Sequence, residues 1–119
     1  EVNVTLDKTQ EQVLQIGPYK ITNSNNSYIH NAKLIYNENQ KVFAILTGRI
    51  VATLNTSFDS EQLSDDYRFR LDSVNSDIKT AYFSLREPVR INHIRSLLTH
   101  DPRVKSFYFE VVNNQWQKN

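Results

Sequence analysis

The 119-residue chain has no cysteine, no methionine, two glycines, three prolines and one tryptophan. Without cysteine there can be no thiolate nucleophile, Cys-ligated zinc, disulfide scaffold or thiol redox chemistry. The compartment stays open, because cytosolic and extracytoplasmic proteins alike can lack it. No apolar run approaches the roughly 18 residues needed to cross a bilayer, and no basic-then-apolar signal opens the chain. An excess of one charge is missing too. Fourteen basic and 13 acidic residues leave +1, so no global field draws the chain to nucleic acid, and no direct membrane contact by this segment is expected. The chain opens at Glu1 rather than methionine, which reads as the start of a trimmed or mature portion.

Catalytic motifs are lacking as well. There is no nucleophile elbow, phosphate loop, metalloprotease helix or EF-hand loop. Asp59, Glu61, Asp65 and Asp66 lack the glycine and spacing of a calcium loop and read as a solvated connector. His93 and His100 lie roughly 10 Å apart along a helix, too far to share one metal. His100-Asp101-Pro102-Arg103 reads as a hinge rather than an acid–base site, because a helix C-terminus favours a cation and Asp-Pro is ordinary punctuation. No cofactor, metal or catalytic residue is expected.

What is present fits one α+β domain over residues 1–119, since a chain this long can bury about two-thirds of its unfolded surface. Asp7, Gln10, Val13, Leu14 and Ile16 before Gly17-Pro18 predict an N-terminal helix near 8–16. Val2, Val4 and Leu6 alternate and add a short strand, and residues 23–27 read as a loop. From Ser27 to Asn55 the period is two, with a break at 37–39. A three-residue loop with Asn39 left-handed pairs Leu34 with Val42, Ala32 with Ala44, His30 with Leu46 and Tyr28 with Gly48, whereas a four-residue loop exchanges the faces. A second hairpin around 75–77 places Leu71 beside Ala81, Phe69 beside Phe83 and Tyr67 beside Leu85. Pro88, Ile91, Ile94, Leu97 and Leu98 mark a late amphipathic helix that stops before Asp101-Pro102. Val104–Val112 then reads as a final strand, apolar on both faces and therefore central or covered. The expected architecture is an antiparallel meander, strongly curved or barrel-like, with these helices and this last strand.

One face of the long strand reads Val42, Ala44, Leu46, Gly48, Ile50, Ala52, Leu54, with a small residue at every second place. Something must fill the space these leave. Either the Ile91–Leu98 stripe nests there, or a curved sheet lines a cavity whose ligand-binding residues would be Tyr28, His30, Ala44, Gly48, Ala52 and Tyr82. A cavity lined by 42–54 would favour ligand sensing; a fully packed face with an unpaired hydrophobic edge would favour partnership.

"KSFYFEVV" resembles the RNP1 strand of RNA-recognition motifs at Lys105, Phe107 and Phe109, but that fold needs a further helix and strand afterwards. No nucleic acid partner is expected. The segments "NAKLIYNENQKVFAILTGRIVATLN" and "INHIRSLLTHDPRVKSFYFEV" together resemble the ToxS and FidL-like periplasmic partners of ToxR-type membrane regulators. The helix, "DPRV" and strand succession also occurs in POTRA-like envelope modules. The first resemblance implies a periplasmic, membrane-anchored signalling domain, a membrane-bound transcription regulator as partner protein, and a small apolar or amphipathic ligand. The expected function is accordingly a non-enzymatic extracytoplasmic binding or sensory domain. Two other classes are carried beside it: a toxin-immunity or envelope assembly protein acting through protein contacts alone, and an enzyme with carboxylates at a concave sheet face.

Overall fold

The structure is a computed structural model that describes residues 14–21, 28–37 and 39–113. Its elements are β1 (Leu14–Ile16), β2 (Tyr19–Ile21), β3 (Tyr28–Ile29), β4 (Lys33–Asn37), β5 (Val42–Leu54), a 3-10 turn (Ser57–Asp59), α1 (Ser60–Tyr67), β6 (Phe69–Asn75), β7 (Thr80–Leu85), β8 (Val89–Arg90), α2 (Ile91–Thr99) and β9 (Val104–Asn113). Every pairing between described strands is antiparallel, so the α+β expectation holds. The sheet is not closed into a barrel. Its order runs β1-β2-β4-β5-β7-β6, with β9 on β5, while β3 and β8 form a small separate ribbon.

The 13 residues of β5 are the spine. β9 pairs with β5 from Ala44 to Leu54. β4 takes Val42–Leu46 and β7 takes Arg49–Thr53. A strand has two edges, so β4 and β7 must share the one opposite β9, one after the other. The sheet therefore forks at Thr47-Gly48. Between the pairs Leu46–Val111 and Ile50–Phe109, three β5 residues lie against the single residue Glu110. This bulge bends the strand. The Thr47 hydroxyl donates to Glu110 Oε1 at 2.8 Å and accepts from the Arg49 N–H at 3.2 Å, so the extra residues keep polar partners. Gly48 has φ +91°, and a Cβ there would lie 2.2 Å from the His30 carbonyl oxygen. Only glycine lets the β3–β4 connection into the fork.

The inward row is as the alternation predicts. Ala44, Leu46, Ile50 and Ala52 are fully buried and Leu54 nearly so. Ile91, Ile94 and Leu98 of α2 join them in one cluster with Leu63 of α1, Phe69, Phe83 and Phe109. Each aliphatic side chain so buried contributes roughly 1.5–3 kcal/mol. The helix stripe, and not a cavity, fills the space left by the small residues.

Several local expectations are corrected. Residues 14–16 are a strand rather than the end of a helix, because Gly17, at φ +56°, opens a two-residue hairpin turn with Pro18 that pairs Ile16 with Tyr19. The remainder of that helix, the Val2–Leu6 strand and the loop at 23–27 lie outside the described residues. In the first hairpin the loop takes the four-residue form, with Asn37 opposite Val42. Asn37 Oδ1 accepts from the N–H groups of Asn39 and Gln40 at 3.0 and 3.1 Å, and the left-handed residue is Lys41, φ 58°. The faces exchange: Ile35 lies opposite Ala44 and is buried, while Leu34 lies opposite Ile45 and faces outward. In the second hairpin Phe69 pairs with Leu85 rather than Phe83, Leu71 pairs with Phe83 rather than Ala81, and Tyr67 belongs to α1. That shift of two preserves the faces, so the Phe69 and Phe83 rings still meet, with centroids 5.6 Å apart. The acidic connector is helical; Leu63 is its only fully buried apolar residue, too little for a periodic signal.

The hinge after α2 is a polar lock. Asp101, with its side chain 3% exposed, receives two hydrogen bonds from the Arg103 guanidinium at 2.9 and 2.7 Å, a third from the Arg103 N–H, and one from the Tyr67 hydroxyl. Arg103 also reaches Asp66 at 2.9 Å, and Asn55 donates to the Pro102 carbonyl at 2.6 Å. The corner thereby joins α1, the end of β5 and the α2–β9 turn. The Arg103 hydrogen bonds hold the Asp101 carboxyl far below the usual carboxylate range, against the opposing effect of burial.

Two predictions follow from the bend and the lock. Gly48→Ala should cost about 3 kcal/mol or more, from backbone strain plus the clash with His30. Gly17→Ala, with φ +56° but nothing within 4 Å of the added Cβ, should cost about 1 kcal/mol; equal losses in urea melts would refute the close-approach account. For Asp101 the folded-state pKa is depressed, so its contribution is present above the unfolded carboxylate value near 3.9 and is lost as pH falls below it. Asp101→Asn should lower stability by about 2–3 kcal/mol at neutral pH and flatten the loss of stability below about pH 4, as measured by denaturation across pH 2–7.

Candidate functional site

The residues proposed from sequence as ligand-binding do not converge. Ala44 and Ala52 are fully buried among the core side chains. Tyr82 points to the opposite face of the sheet, in a row with Val51. Tyr28 is exposed, with the Arg90 guanidinium 4.7 Å above its ring. His30 and Gly48 do meet, in a polar pocket of about 380 Å³ at the fork that Thr47, Ser84, Arg70 and Arg86 also line. Nearby, burial raises the Asp72 carboxyl, but the Ser84 hydroxyl, Arg70 and Arg49 outweigh it and leave the group below its ordinary value. Among the described residues no group of three or more His, Asp or Glu is placed to hold a metal ion.

A more coherent surface lies on the outer face of the sheet. Because β5 alternates, its odd-numbered residues point away from the core and align with those of its neighbours. Leu34, Ile45 and Val112 form one row across β4, β5 and β9, and Tyr36–Phe43 form the next pair along. Beyond a belt containing Thr47, Arg49, Asp72, Ser84 and Glu110, a second row runs Tyr82, Val51, Tyr108 across β7, β5 and β9. Leu34 is 58% exposed, Phe43 55%, Tyr108 59% and Val112 36%. The Tyr36 and Phe43 rings pack against each other in a tilted arrangement with centroids 4.8 Å apart. The belt is internally neutralised: Arg49 lies 3.5 Å from Asp72 and 4.0 Å from Glu110, and Arg70 lies 3.1 Å from Asp72. Large apolar side chains gathered on one face at this exposure are uncommon for an isolated domain.

The same face ends at β9. Contrary to the expectation of a central or covered strand, β9 pairs only with β5 among the described residues. An apolar groove of about 450 Å³ runs beside it, lined by Phe107, Tyr108, Phe109 and Val111 with Arg95 and Thr99 of α2 and the β1–β2 turn. Tyr108 points to the face opposite Phe107 and Phe109, so a groove touching all three follows the edge of the strand.

Sequence reasoning missed this surface for one reason of register. It placed Leu34 inward, and the outer apolar row appears only once the first hairpin is paired as observed. Among the described residues no helix is long and apolar enough to cross a membrane. No curated protein and no solved structure matches the chain. A family model does match, over residues 4–118, and by that match across almost its whole length the chain belongs to the open reading frame 2 N-terminal domain family.

Proposed function

We propose that the domain is a non-enzymatic partner-binding module that engages another protein through the outer face of its sheet. One observation carries the reading: the inner face of β5 is completely filled, while Leu34, Phe43, Tyr108 and Val112 are left exposed together on the other side. Filled space argues against a ligand cavity beneath residues 42–54, and the open apolar rows suit a complementary protein surface flanking a neutral polar belt. The belt would fix orientation and the two apolar rows would supply the buried area. An extracytoplasmic setting and a membrane-anchored regulator as partner, which the ToxS and FidL-like resemblance implies, belong to the same proposal.

Site-specific photo-crosslinking in the organism of origin tests this. A photoreactive residue at position 43 or 108 should capture one defined protein, and the same residue at Phe58, 91% exposed on the 3-10 turn, should not. Leu34→Glu with Phe43→Glu should abolish that product while changing stability by no more than about 1 kcal/mol, as surface substitutions usually do. Identical products from all three positions, or none from 43 and 108, would overturn the reading.

A further inference from the structure

We propose that the polar pocket at the fork binds a small oxyanion, a phosphoryl or carboxylate group held by the guanidinium groups of Arg70 and Arg86. This goes beyond the partner-binding reading and does not depend on it. The fork itself makes the pocket. Where the β4 and β7 arms part from β5, the His30 carbonyl oxygen comes so close to Gly48 that no side chain fits between them. The opening of about 380 Å³ there is bordered by the β3–β4 connection at His30 and Asn31, by Thr47 of β5, and by Arg70, Ser84 and Arg86 of the β6–β7 arm. No carboxylate lines it.

The charges around the fork are unevenly committed. Asp72 accepts from the Ser84 hydroxyl and from Arg70 Nε at 3.1 Å, and Arg49 lies 3.5 Å from it. Glu110 accepts from the Thr47 hydroxyl at 2.8 Å and lies 4.0 Å from Arg49. Those two carboxylates therefore serve Arg49 and Arg70, and Arg86 is left over. Its Nε donates to the Phe69 carbonyl at 3.2 Å, and its two Nη nitrogens have no acceptor among the described residues. Glu87, next in the chain, is exposed and makes no ion pair with it. Because a guanidinium is planar and rigid, anchoring Nε on a backbone carbonyl restricts where the Nη pair can lie.

The chemistry of the ligand follows from what is left unengaged. The Thr47 and Ser84 hydroxyls already donate to Glu110 and Asp72. The donors open to a ligand are the Nη groups of Arg86 and Arg70 and the Asn31 side-chain amide, none of which has an acceptor among the described residues. Convergent N–H donors with no lining carboxylate suit an oxyanion, which accepts paired bonds from a guanidinium. Such a group supplies the acceptor that Arg86 lacks and leaves the pairings of Arg49 and Asp72 as they are.

Amide NMR of the whole chain tests this. With only two glycines in the sequence, Gly48 reports on the pocket and Gly17, in the β1–β2 turn, is the reference. Sodium phosphate and sodium glutarate are each titrated against sodium chloride at equal ionic strength. The Gly48 and Ser84 amides should move along a saturable curve with its midpoint at about 1–10 mM, the weak range that suits exposed arginines screened by solvent, while Gly17 stays in place. Arg86→Gln should raise that midpoint at least about tenfold. Lys105→Gln, which removes the same charge from β9, should change it less than about twofold. If Arg86→Gln melts more than about 4 °C below the unaltered chain, Arg70→Gln takes its place with the same expected loss. Saturation by phosphate alone assigns a phosphoryl ligand, by glutarate alone a carboxylate, and by both an oxyanion of either kind. Shifts that fail to saturate in the tens of millimolar, that move Gly17 equally, or that weaken as much in Lys105→Gln as in Arg86→Gln would overturn the site. Any of these would leave the crosslinks from position 43 standing.

Discussion

The bend of β5 at Gly48 is the constraint from which the rest of the architecture follows. A strand can satisfy one neighbour on each edge, yet β5 must serve β9 on one side and two hairpin arms on the other. Only a bulge lets the arms diverge, and only a residue without Cβ lets the His30 carbonyl enter the gap between them. Remove that close approach and the β4 arm and the β6–β7 arm have no common spine to which both can pair. The side-chain polar groups of the bulge are kept satisfied by Thr47, Glu110 and Arg49, and glycine takes the positive φ at its centre without strain.

The two faces of the spine then take opposite roles. Inward, small residues on β5 admit α2, whose Ile91, Ile94 and Leu98 complete the core, and the Asp101–Arg103–Tyr67 corner fixes where α2 ends and β9 begins. Outward, Leu34, Phe43, Tyr108 and Val112 stay exposed while Val51 is buried between its neighbours. The two faces differ in packing: the inner one supplies most of the buried core, and the outer one leaves those four side chains at the surface. Among the described residues β9 has β5 alone beside it, and the groove along it touches side chains from both faces.

Much of this was legible in the residues, and the failures have particular causes. The inner row of β5 reads directly because alternation over so long a strand has one consistent solution. Likewise α2 reads from its stripe and from the stop before Pro102, whereas Pro88 lies ahead of β8 and not in the first turn of the helix, which starts at Ile91. The hairpin registers did not, because the left-handed turn residues are Lys41 and Lys79, a residue type with no turn signature, while Asn37 acts instead through its side chain. An error of odd register turned Leu34 inward; one of even register left Phe69 and Phe83 in contact. Gly17-Pro18 was read as a helix stop when it is a hairpin turn, since both uses need a glycine that accepts positive φ.

Composition and periodicity by themselves determined the absence of thiol chemistry, the α+β class, the inward row from Ala44 to Leu54 and the amphipathic late helix, because each depends on local spacing or on residue type alone. Which strand lies at the edge, which face of β4 meets solvent and what Gly48 approaches were decided only by the tertiary structure. Those outcomes depend on pairings between segments far apart in the chain, and a period of two is the same for a strand with one neighbour as for a strand with two.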